Sequence, residues 1–279
     1  MPIITNMREG IAQMIAEKKL PEFLYKYQSL YHWSASDKSN VFNPNLIAAI
    51  EESYLWFSIP GTFNDPNDGR IGVKDSSTDE EFISYASRSA EKYAPELSEE
   101  ARKEMVANLL KLRKEGKLDF SKGLKDIYPN YGICCLCEFP TNTLMWAHYA
   151  NESKGICIKY DVLKMCHGRM LPFKVEYTDL YPEYEYIKEE SDAEKMFSTL
   201  VCTKSKAWEY ECEWRMFLRW KGKMPIIRDS IAEIIFGSSC DSEMANRFKT
   251  IVLAKGHNPV FTQAKLKTGS FGLEFFSFP

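Results

Sequence analysis

The chain has 279 residues, with 36 basic and 39 acidic side chains mixed along its length and a formal net charge of −3. That balance leaves no broad basic footprint of the kind duplex nucleic acid requires, so nucleic acid is disfavoured as a partner. With 44% apolar and 14% aromatic residues there is ample material for a buried core, which excludes a disordered chain and is consistent with one domain over residues 1–279.

The opening MPIITNMREGIAQMIAEKKL lacks an apolar core of secretory length, and no window approaches about 18 uninterrupted apolar residues. A cytoplasmic protein without membrane contact is expected. The 8 cysteines sit within apolar runs such as Gly132-Ile-Cys-Cys-Leu-Cys137, where they read as reduced thiols packed as small hydrophobes.

Residues 7–19 carry Met7, Ile11, Met14 and Ile15 at helical spacing and predict a leading helix that stops near Pro21. Residues 23–27 read as a strand. In 43–50 a capping Asn43 and a Pro44 at the first helical position predict a helix that delivers the chain to a second strand at 54–58. Between 76 and 118 the chain becomes charged and helix-forming, with Phe82, Ala86 and Ala90 and then Met105, Leu109 and Leu112 marking the stripes of a helical insertion. Its Arg102, Lys103, Lys111, Arg113, Lys114 and Lys117 read as a solvated helix face. Strands are then predicted at 132–138, 155–160, 173–177, 209–218 and 272–276, with helices at 143–151, 193–206, 231–235 and 242–250. The expected fold is α+β: a single mixed, largely antiparallel sheet core with flanking helices and a helical insertion.

Three constellations carry chemistry. Phe63-Asn-Asp-Pro-Asn-Asp68 follows a strand; its side chains either close a turn, or offer Asn64, Asp65 and Asp68 as hard oxygen ligands or as acceptors for ribose hydroxyls. Thr143-Leu-Met-Trp-Ala-His-Tyr-Ala150 is either a core stripe or a site where Trp146, His148 and Tyr149 meet a planar ligand. In Lys206-Ala-Trp-Glu-Tyr-Glu-Cys-Glu-Trp-Arg-Met-Phe217, a strand would place Glu209, Glu211, Glu213 and Arg215 on one face, with Tyr210, Cys212, Trp214 and Met216 on the core face. Such a charged row is solvated, bridged by cations, or kept for a purpose. Cys134 and Cys137, with Cys157 and His148, do not complete a set at zinc-ligand spacing, so no metal is assigned. No phosphate-loop, dinucleotide-fold glycine or nucleophile-elbow pattern is present.

In order along the chain, Tyr25-Lys-Tyr-Gln-Ser29, Leu55-Trp-Phe-Ser-Ile-Pro60, Phe63-Asn-Asp-Pro66, Met145-Trp-Ala-His-Tyr149, Gly155-Ile-Cys-Ile-Lys-Tyr-Asp161 and Trp208-Glu-Tyr-Glu-Cys-Glu-Trp-Arg215 resemble a bacterial family known as domain of unknown function 2971. Cys137 stands where that family usually has serine, and 76–118 is a variable insertion in it. More distantly, an early strand, a helix, a second strand ending in serine and a late Glu-x-Glu strand are similar to the layout of ADP-ribosyltransferases. There a late glutamate stabilises the cationic transition state as nicotinamide leaves NAD.

That resemblance implies Glu213 as the catalytic carboxylate, with Glu211 orienting an acceptor; His148, from the Thr143–Ala150 constellation, is a further catalytic candidate. By the same resemblance Lys26 or Tyr25 would hold NAD as a small-molecule substrate and Ser58 would shape the pocket; the constellations add Asn64, Asp65, Trp146 and Tyr149 as candidate binding residues. The implied protein is a transferase or NAD glycohydrolase, as in a toxin-like effector of bacterial defence. Two other readings stand beside it: a metal-dependent hydrolase or nuclease using Asp65, Asp68, Glu211 and Glu213, and a binding module presenting Trp146, His148 and Tyr149. If Lys26, Ser58, Asn64 and His148 line one cleft with Glu213, an enzyme becomes the favoured reading.

Overall fold

Ile156–Asp161 runs Ile-Cys-Ile-Lys-Tyr-Asp and is buried at Ile156, Cys157, Ile158 and Tyr160, so both its faces are covered and it must be an interior strand. In the computed structural model, which describes residues 2–121, 130–166, 170–188 and 193–279, it lies near the middle of an eight-stranded sheet. From one edge to the other the order is Leu273–Ser277, Val260–Leu266, Ile231–Phe236, Ile156–Asp161, Phe23–Gln28, Gly132–Cys137, Glu213–Leu218 and Phe173–Lys174. Ile231–Phe236 pairs Val260–Leu266 in parallel through the helix Ser242–Ala254, and the other neighbours are antiparallel. This is the mixed α+β fold expected.

The main apolar cluster packs Leu24, Ile156, Ile158, Met216, Ile234 and Phe236 against Phe248 and Val252 of the Ser242–Ala254 helix and Leu46 and Ile50 of Pro44–Glu52. A smaller cluster on the sheet's other face holds Tyr27, Cys157 and Ile235 beneath Met145 and Trp146 of the helix Thr143–Tyr149. The cysteines are free thiols. The charged stretch forms two packed helices, Asp79–Tyr93 and Glu99–Lys114, around Phe82, Ala86, Ala90 and Val106. Thr78 starts the first with a reciprocal capping box, and Arg113 fastens the pair by ion pairs to Asp75 at 2.6 Å and Asp79 at 2.9 Å.

Several expectations need correction. Residues 231–235 form a strand and not a helix. Ile231, Ile234 and Ile235 imitate helical spacing because the register slips between Ile231 and Glu233, and a strand buried on both faces has no two-residue alternation to betray it. Residues 173–177 are two short strands, Phe173–Lys174 and Glu176–Thr178, broken at buried Val175. The helix expected over 193–206 ends at Cys202, and Thr203–Ser205 continues as a strand beside Glu176–Thr178. The hairpin Tyr31–Ser34 with Ser39–Phe42, inserted before the first capped helix, was not foreseen, nor was the strand Val260–Leu266.

The largest correction concerns 209–218. Lys206–Glu211 is a 3-10 helix, Cys212 adopts a left-handed conformation at φ 46°, and the strand begins only at Glu213. Glu209 is therefore exposed on a helical turn and forms no row with the others.

Candidate active site

Phe23–Gln28 and Gly132–Cys137 are neighbours in the sheet, yet they pair at only one position, Tyr25 opposite Cys137. Beyond it the strands part, and the Lys26 ammonium donates to the Cys135 carbonyl at 3.0 Å where a ladder bond would otherwise lie. Ser58 closes the far side, exchanging backbone hydrogen bonds of 2.9 Å with Ile133. The split opens a cleft of about 310 Å³, within the range of small-molecule sites.

Sequence-distant groups converge there. Tyr25, Lys26, Ser58, Asn64, Tyr149, Glu211 and Glu213 all line the cleft, together with Asp68, Lys204 and Arg215. The Asn-Asp-Pro segment is a turn as well as a source of site residues. Asp65 accepts from the Asn67 backbone at 2.9 Å and turns away from the cleft, while Asn64 and Asp68 face it.

The cleft floor is a buried charge network. Arg215, 0% exposed, donates to both Asp68 oxygens at 2.7 and 2.6 Å, to both Glu213 oxygens at 2.9 and 3.0 Å, and to the Val201 carbonyl at 2.6 Å. Lys204 reaches Glu213 at 3.2 Å, and it also pairs with Glu211. The other Glu211 oxygen accepts from the Tyr149 hydroxyl at 2.6 Å, and Asn64 donates to that hydroxyl at 3.1 Å. Three carboxylates thus face two cations. Lys26, with no carboxylate in ion-pair range among the described residues, lines the same cleft and is free of a direct ion pair.

The two glutamates titrate in opposite directions. Burial raises the Glu213 carboxyl, but Arg215 and then Lys204 overcome it and hold the group at about 2. At Glu211 burial wins over Lys204 and Tyr149, and the carboxyl is raised. Burial also pushes the Tyr25 hydroxyl up to about 12, and it drives the Cys135 thiol well up, which removes that cysteine as a thiolate nucleophile.

Besides Asp65, two further expected site residues are elsewhere. Trp146 is 1% exposed, set edge-on to Tyr27 with ring centroids 5.1 Å apart, and its indole nitrogen donates to the Pro140 carbonyl at 2.8 Å. It is a core residue and offers no face to a ligand, so the surface of Trp146, His148 and Tyr149 expected of a binding module does not form. His148 is exposed beside Tyr149 and Tyr210 and does not line the cleft. The divalent-ion arrangement of Asp65, Asp68, Glu211 and Glu213 is not formed either: Asp65 points away, and Lys204 and Arg215 fill the spaces between the other carboxylates. Among the described residues no three His, Cys, Asp or Glu side chains gather as a metal-ligand set.

Sequence reasoning missed Lys204 and Trp56 as cleft residues. Lys204 lies in a stretch that reads as a helix end, and Trp56 in a strand to which no chemistry was assigned, its only signal being its place in the Leu55–Pro60 motif.

The fold and cleft define a mixed α+β protein with a small-molecule-sized site floored by a carboxylate pair of divided acidity. A family model described as "Protein of unknown function (DUF2971)" matches residues 145–216, the part of the chain that holds Tyr149, Lys204, Glu211, Glu213 and Arg215. No curated protein and no solved structure matches the chain. Among the described residues no helix is long and apolar enough to cross a membrane.

Proposed function

We propose that the cleft is the active site of an NAD-consuming transferase or glycohydrolase of the DUF2971 family, acting on the bond between nicotinamide and ribose. The observation that carries this reading is the divided acidity of two carboxylates in one cleft, since opposed environments are how a site assigns different roles to chemically identical groups. Glu211 is the carboxylate in contact with substrate. Glu213, clamped by Arg215 and Lys204, is a positioning residue that fixes Lys204 and, through it, Glu211. This exchanges the roles that the resemblance assigned to the two.

In the reaction the C–N bond to nicotinamide breaks with its electron pair leaving on nicotinamide, and the ribosyl carbon becomes cationic. Glu211 places negative charge beside that carbon and takes the proton from the water or acceptor hydroxyl that bonds to it. Its raised proton affinity suits it to that step. Tyr25, Tyr149 and Phe63 supply aromatic walls for the leaving ring, and Lys26 supplies an unspent charge for the diphosphate. A bacterial defence or toxin role would follow from NAD depletion.

The test is nicotinamide release on incubation with NAD, its loss in Glu211→Gln, and NAD binding by calorimetry. Absence of both turnover and binding in the wild-type chain ends the reading.

A further inference from the structure

A second recess, of about 370 Å³, adjoins the cleft. Lys26, Trp56 and Ser58 line both, so they form a septum between two lobes and not the wall of one. The second lobe contains polar groups that the fold leaves unpaired. Gln28 Oε1 is buried with no hydrogen-bond partner. Nothing among the described residues pairs the Gln28 amide nitrogen or the hydroxyl of Tyr160, a side chain only 4% exposed. Buried polar groups in native proteins are almost always satisfied, so the one buried side-chain oxygen left without a partner among the described residues, Gln28 Oε1, marks this recess as a place for a ligand with matching polarity.

We propose that this recess is a nucleoside subsite that reads a purine base through the Gln28 amide. A carboxamide presents one donor beside one acceptor, the complement of the adjacent amino group and ring nitrogen on adenine. Tyr160 supplies a further hydroxyl, and Trp56, 51% exposed at the septum, supplies a stacking face. Lys26, reached from both lobes, stands where a phosphate linker between them would pass. The inference rests on the reading of the first cleft as an NAD site and assigns the adenosine half of that molecule to the second lobe.

The experiment is calorimetric titration of the full chain with AMP and with CMP, in the wild type, in Gln28→Met, which keeps side-chain shape, and in Tyr160→Phe. Wild-type protein should bind AMP at least about tenfold more tightly than CMP, and each variant should weaken AMP by about tenfold, the scale of a lost hydrogen bond. No AMP binding, equal binding of CMP, or unchanged AMP affinity in Gln28→Met overturns the subsite. The CMP comparison needs no variant and so survives any misfolding. Nicotinamide release that depends on Glu211, found together with no AMP affinity, removes the subsite alone. AMP selectivity found without NAD turnover keeps the subsite and removes the catalytic reading.

Discussion

Arg215 and Asp68, 147 residues apart in the chain, meet in a two-pronged pair at 2.7 and 2.6 Å, and the guanidinium has no exposed surface. This pair fastens the turn after the second strand to the acidic strand and so sets the shape of the cleft floor. Arg215→Met should leave Asp68 and Glu213 buried without their main counter-charge and cost about 3–5 kcal/mol, read from urea denaturation. Arg215→Lys should recover little, because an ammonium cannot reproduce the planar fork. A loss under about 1 kcal/mol would mean that water reaches the cluster and screens it.

Stability should fall in acid through Glu213. Its folded value of about 2 lies below the ordinary 4.5, so its contribution is complete above 4.5 and is lost as pH drops towards 2. Glu211, raised by burial, works with the opposite sign: its contribution is complete below its unfolded value and is lost as pH rises through the higher folded one. Glu213→Gln should therefore be less stable than wild type at neutral pH and show a flatter decline in acid. Thermal melts at several pH values between about 6 and 2 measure this, and parallel curves for the two proteins would contradict it.

The proposed roles of the glutamates separate in kinetics. Glu211→Gln should lower kcat for nicotinamide release by about 10²–10⁴ with little change in fold stability, as expected for a lost proton acceptor. Tyr149→Phe removes a hydrogen bond that favours the charged form of Glu211, so the acid limb of the kcat/KM profile should move to higher pH. An acid limb that stays in place would detach Glu211 from the chemistry.

Trp146 and His148 lie two residues apart on one short helix and should behave differently. Trp146→Ala empties a core site and should destabilise by about 3–5 kcal/mol. His148→Ala changes an exposed side chain and should stay within about 0.5 kcal/mol with nicotinamide release intact. Loss of turnover in a folded His148→Ala protein would place the histidine in the reaction after all.

The sequence was most legible where local chemistry decides. Asn43 and Pro44 announced a helix start, the stripe through Phe82, Ala86 and Ala90 announced an amphipathic helix, and short continuous apolar runs announced buried strands such as Gly132–Cys137. It misled at Ile231–Phe236, where burial on both faces erased the strand period, and at Glu209–Glu213, where one left-handed residue, Cys212, broke the alternation. Residues 7–19 read as a leading helix, and the helix Pro2–Ala16 runs there with its start and end each a few residues earlier.

For the site, the residue types were visible and the arrangement was not. The Glu-Cys-Glu and Asn-Asp-Pro segments stand out because acids and turn formers cluster in them, and both contribute side chains to the cleft. Which acids face inward was decided by long-range pairing. The parting of two neighbouring strands after Tyr25 and Cys137 makes the space, and Arg215, reaching across 147 residues to Asp68, closes its floor. Composition and periodicity report each residue's own preferences. Desolvation and Coulomb energy depend on distances between segments, so only the folded chain could lower the acidity of Glu211 and raise that of Glu213.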